Sequence, residues 1–220
     1  MSDEKTELKT QAEQTEEKYY YPNKWGRVIL TSAEDIMGAP GVRSLLNLAG
    51  LQEYIDNYPP DNMKKEFPFL HVSKLQEAMW EMYGKRGARV FATRAGEQSF
   101  KDGLAQFKSV AAAAQVAMKG GTLEAKAKIG LEFFSKFFNS VSDQKVAIGE
   151  DEKNWLWIIE RCPMCWDRKA EEPVCYLAVG VLQGAFAWVA DGKRFRISPV
   201  NCIGKGDEKG IIKIEKIPVE

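Results

Sequence analysis

The hydrophobic pattern changes its period once, near residue 143, and this change limits the choice of fold more than any other feature of the chain. Before it, a short segment at 27–30 is predicted to be extended. Apolar residues then recur at three- and four-residue spacing, which predicts amphipathic helices, one beginning at Ser73 and one capped by Thr122 and continuing to 138. After it, strand-like segments surround one apolar helical segment: 145–149, 154–160, 174–190 (the helix), 195–202 and 211–217. Helices followed by a strand–strand–helix–strand–strand order predict an α+β fold with an antiparallel sheet.

The same pattern divides the chain into three parts. Residues 1–18 hold six acidic and three basic side chains and almost nothing apolar, which predicts a disordered acidic tail. Residues 19–142 form the helical N-terminal part, and 143–220 form the mixed part. We expect the last two parts to fold as one compact unit, because a chain of 220 residues can bury a sizeable core without staples.

The charge balance limits the classes of partner. The 31 basic and 31 acidic residues cancel, which argues against a concentrated basic face for nucleic acid and against a polybasic membrane anchor. The sequence contains neither an apolar run of bilayer length nor the apolar segment of a signal peptide. We therefore expect a cytoplasmic protein with no membrane span and no nucleic-acid partner.

The cysteines are confined to one short region, at Cys162, Cys165, Cys175 and Cys202. A Cys-x-x-Cys turn aims two thiolates at a common point and can hold Zn²⁺. Cys175 and Cys202 could complete a tetrahedron, although a helix and a strand separate them, so the closure would be tertiary. The sequence predicts a four-cysteine metal site for Zn²⁺, with an iron–sulfur cluster as the alternative.

Three other interpretations of the cysteines stay open. Cys162 and Cys165 could bind a metal together with other groups. Their Cys-Pro-x-Cys pattern also resembles an oxidoreductase thiol pair, although such a pair normally opens a helix in a βαβ unit. The four residues could finally be unrelated, partly buried cysteines.

Little in the sequence indicates a catalytic site. His71 is the only histidine and lies beside no nucleophile motif, which favours a structural or surface role. The glycines of 204–210 precede a strand-like segment and no helix, which favours a hairpin turn over a phosphate loop. No catalytic residue is predicted, so we expect binding more than turnover.

An aromatic cluster on the predicted helix after residue 122 has two interpretations, core packing or the wall of a lipophilic pocket. Aromatic residues of the later strands and helix could face the same space. The candidate pocket residues are Phe133, Phe134, Phe137, Phe138, Trp155, Trp157, Phe186 and Trp188.

Several segments of the C-terminal part resemble the 4-vinyl reductase domain. They are Arg161-Cys162-Pro163-Met164-Cys165-Trp166, 173–177, 180–182, 195–197, 200–202 and 206–207. Segments 81–84, 86–89 and 94–96 are similar to the helical half of the same proteins. The resemblance covers roughly 25–216 and is strongest over 155–215.

This resemblance implies a fold similar to TRAPP-complex subunits, with an N-terminal helical layer on a four-stranded antiparallel sheet, a crossover helix and a homodimer. It implies a hydrophobic ligand, either a tetrapyrrole, an aromatic compound or another hydrocarbon. It also leaves open an enzyme or delivery protein for 4-vinyl reduction in (bacterio)chlorophyll biosynthesis. An enzyme of this kind would be an oxidoreductase acting on a tetrapyrrole vinyl group, but no flavin or nicotinamide site is evident in the sequence.

Aromatic-sensing relatives of this family hold a structural zinc beside their pocket. Two of their cysteine ligands align with Cys175 and Cys202, whereas the remaining two ligands align with Pro199 and Gly210, whose side chains cannot coordinate a metal. The resemblance therefore implies that Cys162 and Cys165 supply the missing pair.

Overall fold

The computed structural model describes residues 18–219, so the predicted acidic tail lies, apart from Lys18, outside the described residues. Within this range the α-helices are α1 (Asn23–Leu48), α2 (Phe69–Gln106), α3 (Lys108–Met118), α4 (Leu123–Val141) and α5 (Tyr176–Val189). The strands are β1 (Tyr20–Pro22), β2 (Lys65–Pro68), β3 (Lys145–Glu150), β4 (Asn154–Arg161), β5 (Arg194–Asn201) and β6 (Gly210–Val219).

Strands β3 to β6 form one antiparallel sheet in the order β3-β4-β6-β5, and α5 is the crossover between β4 and β5. Along β4, side chains alternate between the two faces, so Trp155, Trp157 and Ile159 are all buried on the helical side. The α+β prediction, with helices packed on a four-stranded antiparallel sheet, is confirmed. That residues 19–142 and 143–220 fold as one compact unit stays a prediction.

The sheet brings the C-terminal ends of β4 and β5 to the same end. Both strands run antiparallel to β6, which lies between them. Ile159 pairs with Gly210, and Asn201 pairs with Ile211, so both strands end beside the first residues of β6. The segments that follow β4 and β5 therefore leave the sheet as neighbours, although they are far apart in the chain.

Two glycines allow α2 and α5 to cross in backbone contact. A Cβ on Gly96 would overlap the carbonyl oxygen of Leu177, and a Cβ on Gly180 would overlap that of Thr93. This crossing presses the first turns of α5 against α2. It fixes one side of the space enclosed between the helices and the sheet.

The N-terminal half differs from expectation in two places. The predicted extended segment at 27–30 lies inside α1, because its apolar side chains form part of a buried helical face. The helix expected to begin at Ser73 begins at Phe69, directly after Pro68, whose φ of −63° suits a helix start. A small sheet, β1 with β2, was not anticipated because its partners are far apart in sequence.

The predicted start of α4 is confirmed. The side chain of Thr122 accepts a hydrogen bond of 3.2 Å from the backbone N–H of Ala125, as an N-cap should. Over residues 18–219, none of the helices is both long enough and apolar enough to cross a membrane.

Candidate metal centre and ligand cavity

The four cysteines meet where four elements of the fold end or begin. Cys162 directly follows β4, Cys165 ends the short 3₁₀ turn Pro163–Cys165, Cys175 directly precedes α5, and Cys202 directly follows β5. All four side chains are buried, with at most 3% of their surface exposed. The common end of β4 and β5 explains how residues 40 positions apart come together.

The two sulfur–sulfur distances measured from Cys175 are close to those of a mononuclear site. Cys162 Sγ lies 3.6 Å from Cys175 Sγ, which in turn lies 3.8 Å from Cys202 Sγ. The Sγ atoms of Cys162, Cys165 and Cys175 all lie within 4.8 Å of one another. A tetrahedron of thiolates around Zn²⁺, with bonds of about 2.3 Å, separates its sulfurs by about 3.8 Å. All four thiols are free, and these distances are far longer than a disulfide bond.

Backbone contacts hold the cysteine loops in place. The backbone N–H of Met164 bonds to the sulfur of Cys162, as in a metal-binding turn. The backbone N–H of Cys202 donates to Asp207 Oδ2 at 2.8 Å, and the Asp207 carboxylate also pairs with Lys205 at 3.4 Å. The Cys202 loop is thus ordered by protein contacts of its own.

The thiols differ in acidity because they bond to one another. Hydrogen bonds from the thiols of Cys165 and Cys175 hold the pKa of Cys162 well below its usual value. The bond between Cys175 and Cys162 raises the pKa of Cys175 well above its usual value, and its burial adds to this. A bound metal would have to displace the proton of Cys175.

A cationic side chain lies beside this group of thiols. Burial lowers the pKa of Arg168, whereas Glu77 and the nearby thiols of the cluster raise it. The guanidinium lies 5.3 Å from the ring centre of Trp80. Its Nη1 is buried and has no hydrogen-bond partner among the described residues. A positive charge at this place suits a centre in which four thiolates outweigh one divalent ion.

A cavity of about 70 Å³ lies between the helices and the sheet, next to the cysteines. Its lining comes from all five helices, from Tyr21 on β1 and Trp157 on β4, from Met164 in the cysteine turn, and from Phe107 and Gln144 in connecting segments. The lining side chains within the described range are apolar or uncharged, and none is Asp, Glu, Lys or Arg. Such a space suits a lipophilic molecule.

Five of the eight predicted pocket residues line this cavity, namely Phe133, Phe134, Phe137, Phe138 and Trp157. The structure places the other three elsewhere. The ring centres of Trp155 and Phe186 lie 5.5 Å apart, and both rings pack against Phe195. Trp155 lies on the same face of β4 as Trp157 but two residues before it. Trp188 contacts Phe100 and Phe134 and is not part of the lining.

The polar residues around the cavity were not predicted from the sequence. Ser99 is among the lining residues, and its hydroxyl is buried without a hydrogen-bond partner among residues 18–219. The Tyr21 hydroxyl donates to Gln144 Oε1 at 2.8 Å, and both residues belong to the lining. These two residues are 123 positions apart, so no local pattern could connect them. Met164 could have been found from its place between two predicted ligands.

His71 lies outside the lining. Its Nδ1 is 2.9 Å from the Tyr54 hydroxyl, and its ring packs edge-on against Tyr54 and Phe67. These contacts agree with a structural role for the only histidine of the chain.

Comparison with known proteins relates the chain to other proteins mainly through its fold. No family model matches the sequence. An uncharacterized protein of Methanocaldococcus jannaschii is 30% identical over 84 residues, which are 37% of this chain and 44% of that protein. The match thus spans less than half of that relative.

Three solved structures illustrate the fold. An Fe(II) unliganded H-NOX protein from K. algicida has a TM-score of 0.56 at 11% identity and covers 90% of this chain and 97% of its own. An H-NOX protein from S. oneidensis in the Fe(II)NO ligation state has a TM-score of 0.53 at 13% identity, and the match covers 86% of this chain and 97% of that one. A trafficking protein particle complex subunit 3 from Naegleria fowleri, covalently bound to palmitic acid, has a TM-score of 0.54 at 16% identity. The match covers 69% of this chain and 95% of that one. The chain therefore has an H-NOX-like and TRAPP-subunit-like fold.

Proposed function

We propose that this protein binds a lipophilic small molecule in the helix–sheet cavity, and that a four-cysteine metal centre braces one wall of that cavity. The observation that carries the proposal is the uncharged, mostly aromatic and aliphatic lining, which reaches Met164 between two of the cysteines. Leu177 and Ala178 also line the cavity, directly after Cys175 and its neighbour Tyr176. Metal and ligand would thus share the same short segments.

Zn²⁺ is the ion that fits the cysteine group best. The ligands would be Cys162, Cys165, Cys175 and Cys202: the first three sulfurs lie within 4.8 Å of one another, and that of Cys202 lies 3.8 Å from Cys175 Sγ. An iron–sulfur cluster spreads its thiolates over several irons, which requires wider spacing. With four protein ligands and no open position, such a zinc stabilises the fold and activates no water.

The ligand we favour is a hydrocarbon-like molecule. One structural neighbour of the TRAPP type carries palmitic acid, whereas the H-NOX neighbours carry iron. The histidine that binds haem iron in many haem proteins has no counterpart in the described lining, because His71 lies away from it. The free space of about 70 Å³ also suits a small ligand better than a macrocycle.

A role in 4-vinyl reduction is the second candidate, and the resemblance of 155–215 to the 4-vinyl reductase domain favours it. Within this candidate, delivery of a tetrapyrrole is better supported than reduction, because the described lining offers no acidic or basic side chain for proton transfer. A cytoplasmic location and a homodimer belong to the proposal as well.

Thiol redox chemistry is the least supported candidate. A redox pair needs an exposed thiolate that a partner disulfide can reach. Cys162 and Cys165 are 2% and 3% exposed, and both lie within reach of Cys175. Their burial favours metal binding over exchange with another protein.

Native mass spectrometry and metal analysis of freshly purified full-length protein test the proposal. We expect about one zinc per chain. We also expect either a co-purified lipophile in the mass spectrum or binding of added Nile red, a fluorescent lipophile. Less than about a tenth of a metal ion per folded chain would refute the metal centre. If the zinc-loaded protein neither carries a co-purified lipophile nor binds Nile red, the binding function is refuted.

A pair of tryptophan variants on α3 tests where the lipophile binds. Ala111 lines the cavity, whereas Ala113 on the same helix is exposed and does not. Ala111→Trp should fill part of the space and weaken Nile red binding by about tenfold or more, whereas Ala113→Trp should bind as the unmodified protein does. Equal binding by both variants would place the probe elsewhere.

A further inference from the structure

The cavity between the helices and the sheet is smaller than a lipophile of the size of Nile red requires. Its free space of about 70 Å³ holds only a few water-sized groups. Pockets that enclose drug-sized ligands measure about 300–1,000 Å³. One wall of the cavity must therefore move before such a ligand can enter.

Four of the five helices around the cavity are held by contacts that resist such a movement. Helices α2 and α5 cross in backbone contact through two glycines. The side-chain amide of Asn23 on α1 donates to Glu66 Oε2 on β2 at 2.7 Å. The hydroxyl of Ser135 on α4 donates to the backbone carbonyl of Val146 on β3 at 3.1 Å. These four helices are unsuited to open the cavity.

Helix α3 is held much more weakly than the other four. None of its side chains makes a hydrogen bond or an ion pair with another part of the described chain. Of its 11 residues, Ala114 and Met118 alone are buried, and they pack against Val189 in a small cluster separate from the main core. Because alanine side chains bury little apolar surface, detachment of α3 costs less than detachment of its neighbours.

The backbone leaves helical geometry on both sides of α3. At its start Phe107 has a φ of −110° and a ψ of 47°, and after its end Gly120 has a φ of +75°. A Cβ on Gly120 would meet no atom within 4 Å, so this turn has room to change its dihedral angles. Such residues at the ends of an element are the usual hinges of a moving segment.

We propose that α3 is a lid that swings between Phe107 and Gly120 to admit the lipophile, and that Met118 is the latch that holds it closed. Val110 and Ala111 on α3 belong to the lining, so displacement of this helix widens the cavity. The inference rests on the proposed binding function and adds the route by which the ligand enters.

The kinetics of Nile red binding test the latch. Met118 lies outside the lining, so Met118→Ala should weaken the closed state equally with and without ligand. In stopped-flow fluorescence on the zinc-loaded full-length protein, the association and dissociation rate constants should both rise about threefold or more. Their ratio, the dissociation constant, should stay within about twofold of its original value. Val116→Ala is the matched control, because Val116 lies on the same helix and is 75% exposed, and its rates should be unchanged.

The reactivity of a buried thiol measures the opening of the lid without any ligand. Met118→Cys and Leu131→Cys each place a thiol at a buried position, the first on α3 and the second on α4. After subtraction of the reaction of the unmodified protein, Met118→Cys should react with a chromogenic disulfide reagent at least about tenfold faster than Leu131→Cys.

These measurements separate failure of the lid from failure of the binding function. Equal reactivity of the two introduced thiols, or unchanged Nile red rates in Met118→Ala, would overturn the lid and leave the binding function intact. Fast reaction of Met118→Cys without any binding of Nile red would refute the binding function, and with it the role of the lid in ligand entry.

Discussion

At the scale of the residue, Cys175 links thiols that come from the ends of two different strands. Its sulfur lies within 4 Å of those of Cys162 and Cys202, and its residue directly precedes α5. Cys175 thus joins the strand ends to the helix that walls the cavity.

Cys175→Ser should therefore weaken zinc binding by at least about 100-fold and lower the free energy of unfolding of the zinc-loaded protein by at least about 2 kcal/mol. Competition with a chromogenic chelator and denaturant unfolding measure the two effects. Met164→Leu is the control, since Met164 is buried in the same turn and offers no strong ligand. Zinc content and stability like those of the unmodified protein would exclude Cys175 as a ligand.

At the scale of the element, the crossing of α2 and α5 depends on small residues. On Gly180, a Cβ would overlap backbone atoms of α2, which cannot move aside as a flexible side chain can. On Gly41 in α1, the nearest atom to a Cβ is the side chain of Met37 at 3.0 Å. The same added methyl group therefore has different consequences at the two positions.

Gly180→Ala should lower the free energy of unfolding by about 2 kcal/mol or more, because the helices must separate. Gly41→Ala should change it by less than about 1 kcal/mol, since alanine favours a helix and Met37 can adjust. Urea unfolding followed by circular dichroism measures both. If both variants have equal stability, the close crossing is not a determinant of the fold.

At the scale of the whole molecule, the proposed metal centre and the cavity share their supporting segments. The turn that contains Met164 holds two of the thiols and also lines the cavity, and the first turn of α5 does the same through Leu177. Loss of order in the metal centre would therefore displace segments that line the cavity, although no lining residue is substituted.

Removal of the metal should accordingly lower both the melting temperature, by about 10 °C or more, and the affinity for Nile red. A zinc chelator at neutral pH, followed by thermal unfolding and titration with the probe, measures both effects. Restoring zinc should restore both values, whereas Mg²⁺ should not, because thiolates prefer softer ions. If the metal-free protein binds Nile red with unchanged affinity, the metal centre does not support the cavity.

Much of the fold could be predicted because its elements follow local patterns. The alternation at Trp155, Trp157 and Ile159 indicated β4, and Thr122 indicated the start of α4. The extended interpretation of 27–30 was wrong, because a short apolar run fits a strand or a helix equally well. Pairing of β1 with β2 depends on distant partners and has no local signal.

The sequence by itself determined the order and period of the elements and the confinement of four cysteines to one region. Only the tertiary structure decided that β4 and β5 end side by side around β6, which brings the cysteine sulfurs within contact distance. It alone also placed Trp157, but not Trp155, in the lining of the cavity. The physical reason is that periodicity tells which face of an element is buried, whereas a site depends on where buried faces of distant elements meet.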